Sequence, residues 1–322
     1  MPVKVKHVAV DVGFSSVKAV DGEGHSVHFP SHLAPYVSRG GLHRDDALIV
    51  TVDGRPWRTG ADNSGGNIHS GAGDFHGSDE WRVLMARTFY ELGRQAGAGP
   101  LLTVECLGVG LPYAYWTEAN SARLASHTRF EFEAGGEPWK VEVGSVQVFA
   151  QGLSICATLP DDQMPESAGF VDIGHYTLDL LGMVNHQIPE GRCDSYALGA
   201  FQIYSDLRSR FMARPETQGM LTLSDAQIGR ILRDKFIKFR GARLDLAGEV
   251  ETTLRENYAA MESKMLQLWG DDLPFFDAIF IGGGGALLMK SVLPTSIQGI
   301  PLKILENAVF GNALAYLAAI KS

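Results

Sequence analysis

An α/β fold in two related halves is what the sequence predicts, and three observations predict it. Short apolar strands alternate with helix-period segments. An acid-ended strand and turn near the start, Val10-Asp11-Val12-Gly13, returns half a chain later as Val171-Asp172-Ile173-Gly174. A buried-type strand, Ala278-Ile279-Phe280-Ile281, runs into Gly282-Gly283-Gly284-Gly285 and then a helical segment from Ala286. A supersecondary unit repeated at half length points to two domains of common design.

The first half opens on a hairpin. Val8-Ala9-Val10-Asp11-Val12 reads as one strand, Gly13-Phe14-Ser15-Ser16 as its turn, and Val17-Lys18-Ala19-Val20 as the return. Residues 36–80 are expected to be loop-rich, with glycines dense from Thr59 to Gly73. A helix should start behind Ser78 as N-cap, with Trp81, Leu84, Met85, Phe89 and Leu92 on one face. A strand over 101–111, a helix from Thr117, a hairpin about Gly135-Gly136 and a strand over 146–149 follow, then a helix over 151–159. The proline-containing link 160–167 is the expected boundary. Beyond the second hairpin, helices are expected near 196–212, 224–239, 245–269 and 310–320.

Composition narrows the classes. The chain has 322 residues, 45% hydrophobic and 20% charged, which excludes a disordered chain. Its net charge is −9, so a global basic field for direct DNA binding is missing. Cys106, Cys156 and Cys193 form neither a C-x-x-C nor a disulfide framework, which fits a reducing cytoplasm. No apolar leader is read at 1–7, and no run of about 18 apolar residues predicts a membrane span.

The motifs carry chemistry. A turn of glycine and serines gathers backbone N–H groups into a concavity suited to phosphate oxygens. Asp11 at the strand end can hold a hydrated Mg²⁺, which prefers one or two carboxylates with phosphates and waters. Lys18 across the hairpin can meet a phosphate as a point charge. Asp172-x-Gly174-x-x-Thr177 is a second tip of the same kind. The four glycines 282–285 permit close approach by a bulky ligand, and the helix start behind them favours anions. Each motif also has a structural explanation: a capped surface turn, a duplicated hairpin, a tight strand–helix crossing.

Taken together, in this order, the three motifs resemble the nucleotide site of the actin, sugar kinase and heat-shock chaperone superfamily. The resemblance spans essentially the whole chain and implies two related actin-like (ribonuclease H-like) domains around a nucleotide cleft. Domain I would be 1–165 plus 305–322 and domain II 166–304. Within the superfamily, Val171-Asp172-Ile173-Gly174-x-x-Thr177-Leu178-Asp179, Val109-Gly110-Leu111-Pro112 and Thr59-Gly60-x-Asp62 are similar to plasmid-segregation actins of the ParM/StbA type, including those of plasmid-associated PRTRC systems.

The resemblance assigns roles. Asp11 and Asp172 would organise Mg²⁺ through water, with Asp172 and Gln151 catalytic. Gly13, Phe14, Ser15, Ser16 and Lys18 would hold the ATP phosphates from one domain, and Gly174, His175, Tyr176 and Thr177 from the other. Gly282, Gly283, Gly284 and Gly285 would touch adenosine. Gln151, in Phe149-Ala150-Gln151-Gly152, stands where actins orient the attacking water. A neutral amide orients water without being a base, so slow hydrolysis is implied. His175 and Tyr176 are bulkier than the residues usual at the second tip. The implied protein is an ATPase that polymerises with itself, works with a DNA-bound adaptor, and touches neither DNA nor membrane directly.

Rival readings are a small-molecule kinase of the same fold, against which Gln151 stands, and a non-hydrolysing ATP-dependent scaffold or sensor. A radical-enzyme activator would need clustered cysteines. The basic run Arg230, Arg233, Lys235, Lys238, Arg240 and Arg243 reads as a solvated helix face or a contact surface, and His69 and His76 as part of a surface loop.

Overall fold

The structure is a computed structural model, which describes residues 3–36, 48–60, 75–152, 159, 161–218 and 222–322. The chain divides into two units, Met1–Asp162 with Val309–Ser322, and Gln163–Ala308.

The first unit is built on nine strands: β1 (Val3–Val12), β2 (Ser16–Asp21), β3 (Ser26–Pro30), β4 (Leu33–Pro35), β5 (Leu48–Val52), β6 (Arg55–Thr59), β7 (Leu101–Leu111), β8 (Arg129–Ala134) and β9 (Glu137–Ala150). Their order in the sheet is β3-β2-β1-β7-β9-β8-β5-β6-β4. The centre, β1-β7-β9, is parallel, and hairpins extend it on both sides. Helix α1 (Asp79–Gln95) starts where expected, with the Ser78 side chain accepting from the Trp81 amide. Its buried face carries Trp81, Leu84, Met85, Phe89 and Leu92. Helix α2 (Glu118–Ala125) is capped by Thr117 in the same way.

The second unit has strands β10 (Ala168–Ile173), β11 (Leu178–Met183), β12 (Cys193–Tyr196), β13 (Phe236–Phe239), β14 (Ala242–Asp245), β15 (Ala278–Gly282), β16 (Ser296–Ile297) and β17 (Ile300–Ile304). Six of them form one sheet, β12-β11-β10-β15-β17-β16, and β13 and β14 pair apart from it. Helices α3 (Ala200–Met212), α4 (Asp225–Asp234), α5 (Ala247–Trp269) and α6 (Gly284–Met289) complete it. One core joins β10, β11 and β15 to these helices through residues such as Val171, Leu180, Ile203, Leu207, Met261 and Ile281.

Three expectations are corrected. The stretch 36–80 contains a hairpin, β5–β6, turned by Asp53 and Gly54 at φ 50° and 72°. Asp-Gly directly behind the apolar run Leu48-Ile49-Val50-Thr51-Val52 is a hairpin signal that the glycine-rich stretch after Thr59 obscured. The helix expected over 224–239 stops at Asp234, where Lys235 turns left-handed at φ 61°. The following Phe236–Phe239 pairs with β14 and packs Ile237 and Phe239 on the core, so only Arg230 and Arg233 of the basic run lie on a helix. Of the helix expected over 151–159, Gln151 and Gly152 form a turn, and 153–158 lie outside the described residues.

The C-terminal helix Gly311–Lys321 returns to the first unit and shares a core of Ala9, Val20, Ala313, Tyr316, Leu317 and Ile320. Tyr316 lies so close to β7 that a Cβ on Gly110 would meet its hydroxyl at 2.0 Å. Gly110→Ala is therefore expected to cost roughly 1–3 kcal/mol by overpacking. Gly248→Ala, where the space is open in α5, should be neutral or stabilising by up to about 1 kcal/mol. Urea unfolding of the two variants checks the contrast.

Candidate functional site

Each unit presents one acid-ended hairpin, and the two differ in what faces the acid. In the first unit, register places Asp11 opposite Lys18. The Asp11 side chain is buried, with Lys18 Nζ 3.4 Å from Oδ2. Gln151 reaches the other oxygen, donating Nε2 to Oδ1 at 3.1 Å. Since a carboxylate accepts only, the amide nitrogen must face it, which leaves the Gln151 carbonyl oxygen as the acceptor end. Gln151 is positioned by its own amide on the Leu111 carbonyl at 2.7 Å and by Gly152, whose amide donates to Asn312 Oδ1. Asp11, Lys18 and Gln151 thus form one cluster.

The turn joining β1 and β2 is braced by a residue the sequence did not single out. Ser31 is fully buried; its hydroxyl donates to the Gly13 carbonyl at 2.5 Å and its amide to the Ser15 carbonyl at 3.0 Å. Nothing in the sequence marks a lone serine so far from the turn. Phe14 turns its ring inward, 4.9 Å from Phe75, so only its backbone is offered at the tip.

His76 corrects another expectation: it is buried, edge-on to both Phe14 and Phe75, and Arg123 donates to its carbonyl. His69 lies outside the described residues. Burial pushes the His76 imidazole down to about 4, against a smaller opposing effect from its hydrogen bond with the Val12 backbone. The bond to Val12 and the contact with Phe14 seat this ring beneath the first turn.

In the second unit, Asp172 is buried beside Gly283. Gly283 has φ 82°, and a Cβ there would meet Asp172 Oδ1 at 2.2 Å. Gly285 is packed on Ile173 at 2.3 Å by the same measure, whereas Gly284 faces open space. Two of the four glycines are therefore required by close packing on β10. Gly174 donates its amide to the Thr177 carbonyl at 2.9 Å, closing the tip. The amides of Gly199, Ala200 and Phe201 donate to the carbonyls of Tyr176, Gly174 and His175. The two bulky tip residues pack as aromatics, with Tyr176 5.1 Å and His175 6.0 Å from the Phe201 ring. Asp179 also sits here, buried, accepting from Thr177 and Ser195 hydroxyls. Desolvation raises it to about 6 despite those bonds.

The remaining candidates lie on other segments of the chain. Arg240 and Arg243 lie over the rings of Phe239 and Phe236 on the β13–β14 hairpin, a solvated basic ridge. Asp21, Glu23 and His25 bring ligand atoms within 4.8 Å of one another, but Asp21 is occupied by the amides of Glu23 and His25 and the His25 ring. Cys106 and Cys193 are free thiols.

Each of the two units thus carries a buried acid near the end of a strand that turns into a hairpin. Residues 9–153 match the family model for the N-terminal domain of actin-like proteins, and residues 170–295 the model for the C-terminal domain of archaeal MreB-like actin homologues. The chain belongs to the actin-like proteins, with the two-domain fold of ParM and the archaeal actin homologues. Among solved structures, it is similar to the archaeal actin homologue Ta0583 at 18% identity, covering 98% of this chain and 99% of that one, with a TM-score of 0.80. A complex of Ta0583 with ADP matches at 19% identity, 98% and 100% coverage and a TM-score of 0.78. A 15-stranded ParM filament from Clostridium botulinum matches at 17%, covering 99% of each chain, with a TM-score of 0.77. No curated protein matches the sequence. Among the described residues no helix is long and apolar enough to cross a membrane.

The two shifted groups predict opposite pH responses. Unfolded His76 takes a proton below about 6.5 while the folded ring resists it to about 4. The stability it contributes is complete above pH 6.5 and lost as pH falls to 4, in all about 3 kcal/mol. Asp179 acts in the reverse sense: its contribution is present below pH 3.8 and lost as pH rises through 6. His76→Leu should flatten the acid loss of stability between pH 6.5 and 4. Thermal unfolding of variant and wild type across that range measures it.

Proposed function

We propose that the chain binds Mg-ATP with its two turns, hydrolyses it slowly, and assembles with itself into a filament that serves plasmid segregation. The observation that carries the reading is the Asp11 cluster. One buried carboxylate holds both a lysine and a glutamine beside a Gly-Ser turn. This is a set suited to metal water, phosphate and attacking water.

The residues fit magnesium by their chemistry. Mg²⁺ retains most of its waters and takes few protein carboxylates, and Asp11 and Asp172 are buried carboxylates, each one residue before the end of its strand. When bound, the ion neutralises phosphate charge. Gly13, Phe14, Ser15 and Ser16 offer phosphate the backbone and hydroxyls of a turn that Ser31 keeps closed. Lys18 adds a point charge. Gly174, His175, Tyr176 and Thr177 form the second phosphate turn. Gly282, Gly283, Gly284 and Gly285 border the adenosine, with Gly284 the position left open. Gln151 directs its carbonyl oxygen at the attacking water.

Assembly rests on kinship: the fold is that of a ParM filament subunit, and fold alone is a weak warrant for function. A DNA-bound adaptor would then link filament and plasmid, consistent with the acidic net charge of −9. Self-association, cytoplasmic residence and membership of a PRTRC-type system belong to the same reading.

Light scattering with parallel phosphate release tests it. Scattering should rise on Mg-ATP and decay as phosphate appears. Gln151→Ala should slow phosphate release by about tenfold, some 1.4 kcal/mol of barrier, and prolong the scattering. Asp172→Ala should abolish both signals. ATP turnover without scattering at any protein concentration would overturn the filament reading in favour of the kinase, to be pursued by acceptor screening.

A further inference from the structure

The second hairpin carries a feature the first does not share. Asp172 and Asp179 are directly opposed in register across β10 and β11, and both are buried, at 5% and 6% exposure. Like charges at opposed positions destabilise a strand pair, and burial removes the water that would screen them. The first hairpin avoids this by setting Lys18 opposite Asp11. What Asp179 has in place of a cation is two hydroxyls: Thr177 donates to Oδ2 at 3.0 Å, and Ser195 donates to Oδ1 at 2.5 Å.

A hydroxyl has one proton to give. With its proton on Asp179, the Thr177 oxygen has only lone pairs for anything else. Ionised phosphate oxygens are acceptors and find no donor in it. A water on a divalent cation is a strong donor and does find an acceptor. Ser195, holding the other carboxylate oxygen, keeps Asp179 from swinging away and releasing that proton.

We propose that Asp179 is a positioning residue that fixes the Thr177 hydroxyl as an acceptor, so that Thr177 holds a water of the nucleotide's magnesium ion rather than a phosphate oxygen. The inference rests on the nucleotide reading above and reassigns Thr177 within it. It also accounts for an acid in a costly position: an outer partner that orients an inner one contributes through metal affinity.

Binding of a fluorescent ATP analogue, titrated in EDTA and in magnesium, tests this on the intact chain. Wild type should bind more tightly with magnesium. Asp179→Asn, whose amide can donate to Thr177 and free its proton, should lose about tenfold of that gain, as should Thr177→Val. The loss in magnesium should exceed any loss in EDTA, and Thr177→Ser should restore the gain. Equal losses with and without magnesium would make Asp179 merely structural and overturn the proposal. A loss confined to EDTA would show Thr177 donating to phosphate and overturn it too, as would no change in either variant. If Asp179→Asn does not fold, Thr177→Val and Thr177→Ser still decide. Wild type that binds no analogue in either condition fails the nucleotide reading itself, a result distinct from any variant difference.

Discussion

Burying a carboxylate at the end of a strand is the constraint from which the rest of the arrangement follows. Such a group has lost its water and must recover partners within the protein. Asp11 recovers two, Lys18 and Gln151, and thereby draws together the hairpin and the segment that leaves β9. Those partners leave the turn between β1 and β2 with little freedom, and Ser31 closes it from β3's side. Asp172 packs closely on the left-handed Gly283 and stands opposite a second buried acid, Asp179.

The two hairpins are therefore alike in backbone and unlike in electrostatics. A cross-strand cation in the first unit balances the charge of Asp11 locally. A cross-strand acid in the second makes that hairpin dependent on hydroxyl donors and, in the proposed reading, on a cation. Duplication of a supersecondary unit preserves the turn, because the turn is fixed by backbone geometry. It does not preserve the facing residue, which sits on a separate strand and is free to diverge. The aromatic packing at the second tip illustrates the same separation. His175 and Tyr176 are bulky, yet α3 takes up their carbonyls and rings without opening the turn.

How much of this the sequence disclosed follows from the range of each interaction. Both acid-ended hairpins, the Ser78 and Thr117 caps and the strand before the four glycines are encoded within a few residues, and local pattern sufficed. The β13–β14 hairpin was obscured because a four-residue, mostly apolar strand follows an amphipathic helix with no glycine or proline between them; the stop is a lysine in left-handed conformation. Ser31 and His76 were illegible for a different reason. Each acts on the first turn from a distant segment, and His76 borders a glycine-rich stretch whose composition speaks for exposure. Asp179 was visible as a residue of the second motif, but its opposition to Asp172 appears only once the strands are placed in register.

Gln151 shows how such tethering constrains chemistry. An amide can present its oxygen or its nitrogen, and in solution it does either. Here Asp11 accepts only, so the nitrogen is committed and the oxygen is presented in a fixed sense. A water held by that oxygen would be oriented but not deprotonated, since a neutral amide has no useful basicity at pH 7. Rate would then come from alignment and from charge on the phosphates rather than from proton abstraction. Any shift of Asp11, for instance toward a bound cation, would carry the glutamine with it. In the proposed reading, water orientation and metal binding would therefore be coupled through Asp11 in this unit.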